Sequence, residues 1–139
     1  MSEYLKPLPE IAEGTRPFWE GCKEGKLLLP RCRACGEIFF FPNHFCPACL
    51  SGKVNWIESS GKGSVHTFTI ISRGPSGVFA DDVPYVVAII DLKEGPRMMS
   101  NIIEISPDQV QIGMPVEVVF EQATGDVTLP KFRPVGKTA

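Results

Sequence analysis

From Lys53 onward the hydrophobic and polar positions change to a pattern of strands separated by turn residues. Within residues 64–72, Val65, Thr67, Thr69 and Ile71 alternate with His66, Phe68, Ile70 and Ser72, the pattern of one long strand. Residues 85–92 are apolar and β-branched, Glu94-Gly95-Pro96 is a turn, and residues 97–103 continue as a further strand. Ser106-Pro107-Asp108 opens a short helical or turn connection, after which Ile112-Gly113-Met114-Pro115 re-enters a strand running to about Glu121. Thr124-Gly125-Asp126 then closes a hairpin onto residues 127–132. Five strands, mostly antiparallel and with one irregular connection before the fourth, predict a small closed β-barrel of the OB type.

Ahead of the barrel the pattern is different. Residues 1–14, with Pro7 and Pro9, read as an extended arm. Thr15-Arg16-Pro17 has the form of a helix start: Thr15 can cap, Pro17 suits the first turn, Phe18, Trp19 and Cys22 share a side, and Gly25 supplies a stop. Residues 26–31 and 37–41 are expected to be the two arms of a ribbon hairpin. Phe39, Phe40 and Phe41 cannot all face one side of a strand, so at least one packs elsewhere, in the core or in a docking patch.

Between those arms and just beyond the second lies the strongest chemical signal, Cys32-x-x-Cys35 and Cys46-x-x-Cys49, ten residues apart. Each pair can make a tight turn that aims two thiolates and free backbone N–H groups at one ion, and two such turns complete a tetrahedral shell. Gly36 permits the open backbone that such a turn needs, and Pro47 restricts the second. Zinc is the expected occupant, with iron in a rubredoxin-like site as the alternative. Four thiolates leave no open position, so the site is read as structural. His44 is read as a solvated loop residue, and Cys22 as a bystander outside the pairing.

At 139 residues there is room for one ordinary domain or two small modules, assigned here as 1–25 (arm and helix), 26–52 (zinc ribbon) and 53–139 (OB-fold). Hydrophobic content of 43% with 22% charged residues excludes a disordered chain. The formal net charge of −2 argues against a protein built to grip phosphate backbones. No apolar run approaches membrane-span length and the first residues lack a secretory core, so a cytoplasmic protein is expected. There is no Gly-x-Ser-x-Gly elbow and no phosphate loop. His66 has no partner that spacing identifies, and Asp81-Asp82 reads as a solvated pair at a loop tip.

The order of parts resembles the acyl-CoA-associated family built from a rubredoxin-like zinc ribbon and an OB-fold. The residues that carry the resemblance are Pro17-Phe18-Trp19, the two cysteine knuckles, Pro84-Tyr85, Gly113-Met114-Pro115-Val116 and Pro130-Lys131-Phe132-Arg133-Pro134. It implies a non-catalytic accessory subunit in a hetero-oligomer with a thiolase-fold enzyme. Such a subunit would help enclose an acyl-CoA whose chemistry is done by the partner. Coenzyme A offers phosphates and an adenine, so a receiving surface needs cations beside aromatic faces. Arg73 at the mouth of the long loop 73–84, Phe79 near that loop's tip, and Phe18 and Trp19 are the candidate contacts. Arg133 either anchors the last strand or meets the partner. The competing reading is a single-stranded nucleic-acid-binding protein, since OB barrels and zinc ribbons both serve that role. A third is an independent small CoA hydrolase.

Overall fold

A computed structural model describes residues 6, 8–40, 45–73, 77 and 82–135. Phe41, His44, Phe79 and Asp81 lie outside the described residues. Helix α1 (Arg16–Lys23) buries Phe18, Gly21 and Cys22, while Gly25, with φ of 77°, ends it in the left-handed region. Thr15 does not cap it with its side chain. Its hydroxyl turns back instead, accepting from the Ala12 N–H at 3.1 Å and donating to the Ala12 carbonyl at 3.2 Å.

Strands β1 (Leu28–Cys32) and β2 (Val54–Glu58) form an antiparallel pair from Leu28↔Glu58 to Cys32↔Val54. This corrects the expected hairpin, because residues 37–40 touch β1 at a single bridge, Arg31↔Ile38. Two hydrogen bonds flank it, Cys32 N–H to the Glu37 carbonyl at 2.8 Å and Phe39 N–H to the Pro30 carbonyl at 3.1 Å. The physical reason is a division of labour among the phenylalanines. Phe39 packs against Cys32 and Cys46, whereas Phe40 meets the ring of Phe18 edge-on at 5.7 Å. β2 offers half-buried apolar residues, Val54, Trp56 and Ile57, along the full length of β1.

The barrel is built from β3 (Lys62–Ile71), β4 (Tyr85–Leu92), β5 (Arg97–Ile102), β6 (Pro115–Gln122) and β7 (Thr128–Pro134). They close in the order β3-β4-β5-β7-β6, the topology of an OB-fold. A short 3-10 turn, Pro107–Gln109, fills the irregular connection. β4 shows the plainest alternation: Val86, Ala88, Ile90 and Leu92 are buried, and the residues between them half-exposed. With Val65, Met98, Ile102, Val116 and Phe132 they make a core that continues into Phe18, Cys22, Leu27 and Leu29. Helix, ribbon base and barrel thus share one apolar interior.

Closure between β5 and β7 is thin, a parallel contact at the single pair Ile102↔Phe132. Arg133 anchors the last strand: it faces Glu117 across the β6–β7 ladder, with Nε 3.0 Å from the Glu117 carboxylate and Nη1 3.7 Å from that of Glu104. The β4–β5 turn reaches back to the ribbon–barrel junction, where Glu94 accepts from the Ser59 hydroxyl at 2.7 Å and the Ser60 N–H at 2.9 Å. Gly61 in that junction has φ of 77°, and a Cβ there would lie 2.5 Å from Val118 Cγ1. Among the described residues no helix is long and apolar enough to cross a membrane.

Candidate metal centre and apolar groove

The ladder β1–β2 and the bridge to Ile38 hold the first knuckle, and the second returns into β2 through Ser51, whose carbonyl accepts from the Cys46 N–H at 2.9 Å. The result gathers Cys32, Cys35, Cys46 and Cys49 so that all four sulfurs lie within 4.8 Å of one another. The closest approaches are Cys32 Sγ to Cys49 Sγ at 3.5 Å and Cys35 Sγ to Cys46 Sγ at 3.6 Å. A tetrahedron of sulfurs about 2.3 Å from zinc has edges of about 3.8 Å, so the donors stand close to a metal-ready spacing.

Backbone N–H groups point at the sulfurs of both inner ligands. Cys35 N–H points to Cys32 Sγ at 3.4 Å, and Ala48 N–H to Cys46 Sγ at 3.3 Å. The Cys35 donor in particular pulls the Cys32 thiol down to about 6. Cys32 and Cys46 are buried while Cys35 and Cys49 are exposed, so an ion would sit at the skin of the ribbon with its coordination filled by sulfur. Cys22 stands apart in the shared core, where burial pushes its thiol up to about 12.

The two knuckles use the same backbone with different residues. Gly36 follows Cys35 with φ of 81°, and Leu50 follows Cys49 with φ of 63°. Left-handed backbone costs an L-residue roughly 1–2 kcal/mol, and glycine little.

A second feature lies between α1 and the thinly closed side of the barrel. It is a groove of about 380 Å³. Phe18 and Trp19 of α1, Phe40 of the ribbon, Met98 and Met99 of β5, and Leu129 and Pro130 of β7 line it. Phe18 and Trp19 stack edge to face at 4.9 Å, which fixes the wall they form. Met99 is 66% exposed there. Two polar groups at the rim are already engaged: the Ser100 hydroxyl donates to the Pro130 carbonyl at 2.8 Å, and Lys131 Nζ meets Glu121 at 3.0 Å.

Of the candidate contacts, Phe18 and Trp19 are therefore brought together, buried and half-buried respectively. Arg73 is exposed just beyond β3 and does not line the groove. Sequence reasoning missed Phe40, Met98, Met99 and Leu129 as groove residues, although an outward methionine in an alternating strand was a readable signal. It also missed a partner for His66. That residue sits at a bulge in β3, with Nδ1 3.1 Å from Asp91, and Arg97 Nε contacts the same carboxylate at 2.6 Å. The Arg97 bond, with the charges of Arg97 and His66, holds the Asp91 carboxyl below its usual value despite partial desolvation. The trio is exposed and satisfies itself.

Comparison with known proteins finds two domain descriptions matched in sequence order. Residues 19–55 match the rubredoxin-like zinc ribbon domain of ChsH2, and residues 56–121 its C-terminal OB-fold domain. A probable enoyl-CoA hydratase alpha subunit of Thermomonospora curvata is 36% identical over 130 residues, 94% of this chain. The chain spans 40% of that relative's length. A DUF35 domain-containing scaffold protein of Methanothermobacter thermautotrophicus is 42% identical over 93 residues, covering 66% of this chain and 69% of the relative. Among solved structures, a chain of an Ltp2-ChsH2(DUF35) aldolase superposes with a TM-score of 0.82 at 35% identity, over 91% of this chain and 98% of that one.

Proposed function

The chain belongs to the ChsH2 (DUF35) family of joined zinc ribbon and OB-fold proteins, and from that premise we propose that it is an accessory subunit of an acyl-CoA-processing enzyme. In this reading its partner is a thiolase-like or aldolase subunit that supplies the reacting groups, and this chain helps enclose the acyl-CoA. The observation that carries the reading is the apolar groove of about 380 Å³ walled by Phe18, Trp19 and Phe40. It has the size and lining of a small-molecule site, suited to the pantetheine arm or acyl chain rather than to the phosphates.

Arg73 is the candidate for phosphate contact, supported by its exposure at the end of β3. Phe79 remains a candidate on sequence grounds alone. The four cysteines would hold zinc, which supplies folding free energy to the ribbon and no chemistry. A reducing cytoplasm suits free thiols in this arrangement. Nucleic acid fits the groove poorly: the lysine on its wall, Lys131, is held by Glu121.

The test is recovery of the tagged chain from its native host, with mass spectrometry of whatever stays bound and metal analysis alongside. A bound acyl-CoA enzyme with one zinc per chain is the expected result. The purified complex should then bind acyl-CoA, and Trp19→Ala should weaken that binding. Recovery of nucleic acid with salt-sensitive affinity, and of no such enzyme, would overturn the reading.

A further inference from the structure

Among the described residues nothing covers the apolar tip of the second knuckle. Leu50 holds left-handed backbone at φ of 63° and leaves its side chain 76% exposed. Gly36 meets the same backbone requirement in the first knuckle. Glycine or asparagine at 50 would remove both the strain and the exposed apolar surface. Beside it, Phe45 is 56% exposed, its ring resting over the Gly52 backbone, where a Cβ would lie 3.6 Å from Cε1. Pro47 and Ala48 between them are exposed as well. A four-cysteine centre makes this loop stiff, so it presents the side chains at little ordering cost.

Charge surrounds the tip. Arg33 and Lys53 are joined by a backbone hydrogen bond of 2.7 Å, and Arg31 lies two residues along the same exposed face of β1. None of the three makes an ion pair among the described residues, which leaves their charge available to a partner. Zinc held by four thiolates keeps net negative charge that these cations also offset, so the test includes a charge reversal.

We propose that Phe45 and Leu50, flanked by Arg33 and Lys53, form a plug that docks into an apolar socket rimmed by carboxylates on the acyl-CoA-processing subunit. This rests on the accessory-subunit reading and assigns the contact to the metal-bearing tip, away from the groove. An apolar centre with a cationic rim matches the anatomy of a protein interface, with burial at the middle and charge steering at the edge.

The enzyme subunit recovered with the tagged chain is the probe, and its dissociation constant is measured against the full-length wild type, Leu50→Gly, Leu50→Asn, Phe45→Ala and Lys53→Glu at low and high salt. Both Leu50 variants should bind at least about tenfold more weakly. They should keep one zinc per chain and melt no lower than the wild type. Lys53→Glu should lose affinity mainly at low salt. If both Leu50 variants and Phe45→Ala bind within twofold of the wild type, the plug is wrong while the accessory role stands. If the wild type forms no complex with an acyl-CoA enzyme, both fall.

Discussion

The ribbon and the barrel solve the same problem by different means. In the barrel, apolar side chains from every strand meet around Phe132, Ile90 and Val116, each fully buried. In the ribbon the separate buried cluster is Cys32, Phe39 and Cys46, with half-buried Val54 beside it, so two of its three buried residues are candidate metal ligands. One unit is held by area removed from water, and the other would be held by coordination once its cysteines bind an ion. The difference teaches where each can be broken, and whether the shared core through Phe18 and Leu29 couples them.

The largest effect should come from the metal. Structural zinc contributes about 10–16 kcal/mol in small zinc-finger peptides, far beyond what this ribbon could recover by burial. Chelation or Cys46→Ser should abolish metal binding and the amide protection of residues 28–32 and 54–58 while barrel amides stay protected, as read by hydrogen exchange. Loss of protection in both units together would show that the shared core makes them one cooperative body.

Next comes the barrel's own centre. Phe132→Ala empties a fully buried position and should cost about 3–5 kcal/mol in urea denaturation, with zinc stoichiometry unchanged. Smaller is Gly61→Ala at the junction, where positive φ and the clash with Val118 together predict about 2 kcal/mol. That loss should weaken both units if the junction transmits, and the barrel alone if it does not.

The smallest effect is the pH response of the Glu94 clasp. Burial raises that carboxyl, but donation from Ser60 and Ser59 outweighs it and leaves Glu94 below its ordinary 4.5. A depressed folded value means that the contribution is present above 4.5 and fades as pH falls through the lower folded value. The urea midpoint should therefore fall more in the wild type than in Glu94→Gln between neutral pH and pH about 3. Equal losses would remove the clasp from the account.

Much of this was legible in the residues. Alternation, apolar runs and the turn residues between them placed all five barrel strands, and cysteine spacing located the four-sulfur centre because a tetrahedral shell demands it. The partner of β1 was not legible. Hairpin logic favours the nearer segment, but the need to send Phe39 toward the cysteines and Phe40 toward α1 overrode it, and β2 came from residues 54–58. The groove was half legible: Phe18 and Trp19 stood out, whereas Met98, Met99 and Leu129 join them only once β5 and β7 splay apart. Thr15 matched a capping residue by type alone, and its hydroxyl found residue 12 first.

The contact between α1 and β7 sets an order of events during synthesis. The helix is made early, yet one of the surfaces it rests on belongs to the last strand of the barrel, which also supplies Phe132 and the closing pair with Ile102. While the ribosome is still extending the chain, both cysteine knuckles and β2 are available to capture an ion. The barrel cannot seal, nor can Phe18 be fully covered, until residues 128–134 have emerged. A nascent chain stalled before β7 should thus hold metal on the ribosome while its aromatic helix waits as a substrate for chaperones.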